Sequence, residues 1–339
     1  MAPELWTVTI PETGRAERLA ERAEAAGWDG LAVTDSQNLV GDPFVSLALM
    51  AKVTGRLRLM TGVTNPATRH PAALATAIAT VQEESGGRAV LGIGRGDTAL
   101  FHLGRPPMPV VDFAVALGQV HTYLQGGTVD LDGYPSRLRW LDRAVAGPVP
   151  VDVAAAGPKV IALAAGVAER VTFAVGAELE RVCWALGQAR RSAAEAGRDD
   201  GAVSYGAYVT VGCHPDRKVA RELVRGGVAA FTHFSAMPGS TGAGVPEQDR
   251  ALVADVGARY DSNLHLVNQA EHSRLVPDDY VGRFAVVGDP DICIARLQEL
   301  VDLGLDRLVL TGPSFGADPD QARVAGRLLR DEVLPALRT

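Results

Sequence analysis

Residues 57–97 read LRLMTGVTNPATRHPAALATAIATVQEESGGRAVLGIGRGD. Two short apolar runs in that stretch flank one longer segment whose apolar residues recur at helical spacing. Leu57 to Val63 reads as a strand, Pro71 opens a helix where its missing N–H costs nothing, and Arg88 to Ile93 reads as the next strand. Strand, crossover helix and strand together make one unit of a parallel sheet.

The same rhythm continues on both sides. Upstream, Leu5 to Ile10 is a strand, Gly14 to Ala26 a helix closed by Gly27, Gly30 to Thr34 a strand, and Pro43 to Val53 a helix. Downstream, Val149 to Ala155 and Arg170 to Val175 are strands about the helix Lys159 to Ala168. Leu179 to Ala196 is a helix, Val203 to Val211 an extended run, and Asp216 to Phe231 a helix. Asp289 to Leu303, Arg307 to Thr311 and Pro319 to Leu337 follow as helix, strand and helix. Eight strands result, which favours an α/β fold of the closed (β/α)8 TIM barrel type, and 339 residues suit one such domain.

Two stretches break the rhythm. Residues 126–140, GGTVDLDGYPSRLRW, read as a hairpin insertion turning at Asp132-Gly133. Residues 234–283 form a longer insertion, with MPGSTGAGVP near its start and a helical middle from Glu247 to Gln269. Connections of that length serve as lids or substrate-binding segments, or as plain surface or subunit contacts.

The net charge of −7 and the lack of any Lys/Arg run argue against a nucleic-acid partner. No apolar run approaches the ~20 residues of a membrane span. MAPELWTVTI lacks the basic start and apolar stretch of a signal peptide, so a soluble, cytoplasmic protein is expected. Cys183, Cys213 and Cys293 form no CxxC pair, which suits a reducing compartment and apolar packing. The histidines show no metal-ligand spacing.

In such a barrel the site is built from the loops that follow the strands. The second strand ends in Val33-Thr34-Asp35-Ser36, where the acid either meets a ring nitrogen or substrate hydroxyl, or serves as a helix cap or solvated loop acid. The third runs into Thr61-Gly62-Val63-Thr64-Asn65-Pro66 and then Ala67 to Pro71, either a plain turn or a segment of unusual backbone geometry, though a turn does not account for the Thr64-Asn65 and Arg69-His70 pairs so near each other. The fourth ends in Gly92-Ile93-Gly94-Arg95-Gly96-Asp97, whose glycines either bring backbone amides against an anion or aromatic ring or form a flexible turn. It is not a dinucleotide fingerprint, since no helix is expected to open at once and Arg105 to Pro109 continues as loop. Ala156-Gly157-Pro158-Lys159 and Val175-Gly176-Ala177 each precede a helix, as phosphate traps or simple caps. No Walker A, GxSxG, HExxH or CxxC pattern occurs, so the hard chemistry is expected to belong to an organic cofactor.

These motifs together resemble the luciferase-like monooxygenase superfamily, whose members are (β/α)8 barrels using FMN or the deazaflavin coenzyme F420. TGVTNPATRHP resembles the F420-dependent methylene-tetrahydromethanopterin reductase branch, GIGRGDTALFHLG is similar to its next motif, and AAAGPKVIALAAGVAERVTFAVGA to its phosphate-binding region. The resemblance implies a non-prolyl cis peptide at Gly62–Val63 that bends the cofactor ring, with Thr64 and Asn65 flanking it. It places Asp35 at the ring's polar edge as the candidate catalytic residue, and Gly94, Arg95, Gly96 and Asp97 along the ring and ribityl chain. Gly157, Pro158, Lys159, Gly176 and Ala177 would hold the phosphate, and Gly176→Glu is expected to abolish cofactor binding in a barrel that stays folded.

The activity so implied is hydride transfer between F420 and a small organic substrate. An FMN-dependent two-component monooxygenase using molecular oxygen is the alternative, and a non-catalytic barrel the third reading. A separate flavin or F420 reductase supplying reduced cofactor, and a homo-oligomer, are the implied partners. The archaeal reductases carry a Glu in the first strand, whereas LWTVTI has no acid, so their own substrate is not carried over. Trp6 and Thr7 either shape a different pocket or, for Trp6, belong to the core.

Overall fold

The computed structural model describes residues 2–199, 201–237 and 242–338, so positions 238–241 of the Gly/Pro-rich stretch lie outside the described residues. Eight strands follow in chain order: β1 (Glu4–Thr9), β2 (Gly30–Val33), β3 (Arg58–Thr61), β4 (Ala89–Ile93), β5 (Val151–Ala155), β6 (Arg170–Phe173), β7 (Ser204–Cys213) and β8 (Arg307–Thr311). They are ordered β7-β8-β1-β2-β3-β4-β5-β6, and β6 pairs with β7 to close the ring. The fold is the (β/α)8 barrel that the strand–helix alternation predicts. Strands covered on both faces read as continuous apolar runs, and GLAV of β2 and AVLGI of β4 are buried throughout. Each fully buried Val, Leu or Ile contributes about 1.5–3 kcal/mol relative to exposure.

The residues divide into two compact units. One comprises Val8–Ala154 and Val167–Arg170. Its helices Ala16–Ala25, Pro43–Val53, Pro71–Ser85 and Val110–Leu124 pack in succession along β2 to β4. Their ends are coded locally. Asp42 caps Pro43–Val53 by accepting from the Phe44 and Val45 amides, and His70 Nδ1 accepts the Ala72 amide ahead of Pro71. The segment Val129–Leu131 pairs antiparallel with Tyr134–Ser136, and the turn residues Asp132 and Gly133 both take positive φ.

The other unit holds the residues through Thr7, Ala155–Gly166 and everything from Val171 onward. It departs from the sequence reading in three places. The helix after β7 runs to Ala236, past Phe234, because Thr232 and Ser235 continue its buried face. The helical middle expected to reach Gln269 stops at Arg259. Tyr260 leaves helical geometry there, and the Asp261 side chain accepts the Asn263 amide to start a separate 3-10 turn, Ser262–Leu264. Finally, Val286–Gly288 forms a ninth strand, parallel to Val211–Cys213 of β7, that three residues are too short to announce.

Among the described residues no helix is long and apolar enough to cross a membrane. Cys213 and Cys293 are buried as expected, but Cys183 lies exposed on the helix Leu179–Glu195, and all three are free thiols.

Candidate active site

The ends of β2 and β3 bring four polar side chains together within the first unit. Asp35 lies two residues beyond β2 and is 5 % exposed. Its Oδ2 accepts the Thr64 hydroxyl at 2.6 Å and is also bonded by Arg69 Nη1. Arg69 Nη2 reaches Asp42 Oδ2 at 2.8 Å, and the guanidinium lies 5.0 Å over the Phe44 ring. Burial pushes the Arg69 pKa down, but the Asp35 and Asp42 carboxylates beside it outweigh that and hold it above its ordinary value. The cation is therefore permanent, and Asp35 faces a fixed positive charge.

Asp35 Oδ1, by contrast, is buried without a hydrogen-bond partner, as is the neighbouring Thr34 Oγ1. A buried acceptor left open costs about 1–3 kcal/mol. An N–H or O–H of a bound ring would relieve that cost, so this set fits a cofactor with a polar edge.

Strand β3 stops at Thr61, two residues short of the expected Val63. The Gly62–Val63 peptide is cis, as the resemblance implies, and pairing resumes at Thr64, whose amide donates to Gly92 O at 2.9 Å. Gly92 answers a packing need: a Cβ there would stand 1.9 Å from the Thr61 carbonyl oxygen. The Asn65 side chain is committed to its own loop, its Oδ1 accepting the Ala67 and Thr68 amides at 3.2 and 3.0 Å. The Asn65 amide oxygen is therefore engaged within its own loop.

After β4, Gly94 lies against Val63, its would-be Cβ 3.2 Å from Val63 Cγ2. Arg95 folds back along its loop, Nε donating to Met108 O at 2.6 Å, and burial lowers its pKa. Contrary to the sequence reading, a one-turn helix, Thr98–Phe101, opens directly after Asp97. It is four residues long, and Arg105 to Pro109 follows as loop, so no dinucleotide-type helix results.

In the second unit, Gly157 is buried just ahead of the helix Pro158–Val167, Pro158 is half-buried, and Lys159 extends into solvent. Gly176 and Ala177 are buried ahead of the helix Leu179–Glu195. The Ala177 amide is already bonded to Phe284 O at 2.7 Å, so it is not an open donor for an anion. Gly176 takes φ +83°, and a Cβ on it would stand 2.8 Å from the Phe284 ring. A glutamate there would meet the Phe284 ring and a left-handed backbone, so a loss of cofactor binding in Gly176→Glu would not by itself report on a phosphate.

Trp6 belongs to the core reading, being 0 % exposed with Nε1 donating to Glu4 Oε2 at 2.9 Å. That bond also shows that β1 does carry an acid, at its first residue rather than at its C-terminal end. Sequence reasoning noted Arg69 in its crowded segment but assigned it no role, and it passed over Asp42 and Phe44. Asp42 precedes a proline at a helix start, a cap signal in its own right.

A closed parallel barrel with a buried acid and hydroxyl and a half-buried guanidinium at adjoining strand ends defines the class: an α/β-barrel enzyme scaffold with its polar groups where such barrels place their sites. The chain belongs to the luciferase-like monooxygenase family, whose sequence model matches residues 3–307. It is 32% identical over 316 residues to the 5,10-methylenetetrahydromethanopterin reductase of Methanolobus tindarius, covering 89% of this chain and 91% of that one. It is 30% identical over 341 residues to the F420-dependent glucose-6-phosphate dehydrogenase of Mycolicibacterium fortuitum, covering 94% and 93%. Among solved structures, the coenzyme F420-dependent tetrahydromethanopterin reductase of Methanopyrus kandleri superposes with a TM-score of 0.76 at 24% identity, over 99% of this chain and 100% of that one, a likeness of fold.

Proposed function

We propose that the protein is an F420-dependent oxidoreductase that moves a hydride between the deazaflavin and a small organic substrate. The observation that carries this reading is the likeness, over most of the chain at 30–32% identity, to a reductase and a dehydrogenase that act on different substrates. The dehydrogenase and the solved tetrahydromethanopterin reductase of like fold are both named as F420-dependent, and one cofactor with divergent substrates is the pattern expected when the cofactor supplies the reactive atom and the loops choose what meets it.

The bound deazaflavin would supply two-electron hydride chemistry. The chain's own residues would do the rest. Asp35 would accept a hydrogen bond from the ring's polar edge at Oδ1, the oxygen that Thr64 and Arg69 leave open. Arg69 would hold the Asp35 carboxyl group in its orientation, while Gly62, Val63, Thr64, Asn65 and the Gly94–Asp97 loop would form the ring's backing and flank. Gly157, Pro158 and Lys159 would contribute a helix start and a cation for the phosphate, with Gly176 and Ala177 shaping a second helix start. A homo-oligomer and a separate reductase that supplies reduced cofactor belong to the same proposal.

Titrating the purified protein with F420 and with FMN tests this. F420 is expected to bind in the micromolar range or tighter, about −8 kcal/mol, and FMN more weakly. Tight FMN retention with oxygen consumption on reduction would make the protein a monooxygenase instead, and no binding of either would leave a non-catalytic barrel.

A further inference from the structure

The long connection between β7 and β8 contains a short helix, Asp278–Phe284, with no residue assigned so far to the cofactor site. Its last residue meets the Gly176–Ala177 turn twice. The Phe284 carbonyl accepts the Ala177 amide at 2.7 Å, and the Phe284 ring fills the space beside Gly176 that any side chain there would need. The ring is itself braced. The buried Arg181 guanidinium lies 5.6 Å from its centroid and donates to Ser235 Oγ at 2.9 Å. From the helix Pro290–Asp302, Arg296 donates to the carbonyls of Gly282 at 2.9 Å, Arg283 at 3.1 Å and Ala177 at 3.4 Å. Turn and helix end are thus tied by backbone, ring and guanidinium at once.

We infer that Phe284 is a positioning residue for the phosphate end of the cofactor, setting the Gly176–Ala177 backbone and with it the start of the helix Leu179–Glu195. The inference rests on the proposed phosphate role of that turn. Phe284 touches no ligand on this reading; it acts through the turn. The connection after β7 then belongs to the affinity determinants of the cofactor, where the sequence reading gave it to a lid, a substrate contact or a surface.

Two ligands separate a clamp from general loosening: F420, and the same deazaflavin ending at its ribityl chain with no phosphate. Phe284→Leu keeps an apolar side chain, Phe284→Ala removes most of it, and Arg296→Met removes the second tie. Each variant that melts as a folded protein is titrated with both ligands. Phe284→Leu is expected to weaken F420 about tenfold while the phosphate-free ligand changes by less than about twofold, with Arg296→Met shifting in the same direction. Equal losses for both ligands, or unchanged F420 affinity in the folded Leu and Met variants, would overturn the clamp. Wild-type protein that binds the two ligands equally, or binds neither, would sink the phosphate assignment itself and the clamp with it. If the Ala variant does not fold, the Leu and Met variants decide.

Discussion

Thr64 Oγ1 donates to Asp35 Oδ2 at 2.6 Å, joining the segment after β3 to the segment after β2 through two buried side chains. The bond restrains the carboxylate, since Arg69 approaches the same oxygen and leaves Oδ1 open. Thr64→Val keeps the shape and removes the donor. It is expected to destabilise the protein by about 1–3 kcal/mol, because a buried carboxylate loses a partner. Urea unfolding of the two proteins measures the difference, and an unchanged midpoint would show that the bond contributes nothing.

Asp35→Asn removes the charge while keeping the outline. If Asp35 holds the polar edge of the cofactor, turnover should fall about a hundredfold, the lower range for loss of an acid–base or charge-stabilising group. Arg69→Gln, which leaves the Asp35 side chain in place but less constrained, should fall less. Steady-state rates with saturating cofactor compare the two. A smaller loss in Asp35→Asn than in Arg69→Gln would make Asp35 merely a partner for the cation.

The barrel and the strand ends were legible because their signals are local. Pro71 at a helix start, Gly27 after a helix end and the apolar runs of β2 and β4 each need only a few neighbouring residues to be read. The pairing of Asp35 with Arg69 was not, because it joins residues 34 positions apart whose side chains meet only once β2 and β3 lie in register. Asn65 was placed correctly in the loop, but its use as a turn acceptor depends on where its Oδ1 points. Phe284 lay hidden for a different reason: nothing in DDYVGRF says which distant turn its ring will meet. The ninth strand carries three residues, below the length at which alternation can be distinguished from chance.

Arg307 is fully buried at the first residue of β8. Its guanidinium donates to Ser204 Oγ at 3.0 Å, Thr172 Oγ1 at 2.9 Å and Val171 O at 3.4 Å. Arg307→Ala would leave these acceptors facing a void and should cost about 3–5 kcal/mol. Arg307→Met restores most of the volume but none of the bonds, so it should be intermediate. Chemical unfolding ranks them, and an Ala variant as stable as wild type would show that water or neighbouring groups replace the guanidinium.

The pH response of the second unit follows from His272. Its side chain is buried, 1 % exposed, with Nδ1 accepting the Asp261 amide at 3.3 Å and its ring 4.3 Å from that of Tyr260. Tyr260 in turn stacks on His233 at 4.0 Å and bonds His265 Nδ1 at 2.5 Å, so the cluster has little room for an added charge. Burial lowers the His272 pKa, and His233 lowers it further, while Asp261 and Glu271 oppose the shift without cancelling it. A histidine whose folded pKa lies below its unfolded value of about 6.5 binds more protons when unfolded. Its contribution is therefore present above that value and is lost as the pH falls through the folded pKa. Melting temperature should drop between roughly pH 7 and pH 5, and His272→Gln should flatten that drop relative to wild type. The difference between the two curves isolates this residue from the other histidines, and parallel curves would mean that His272 takes its proton in the fold as readily as in the unfolded chain.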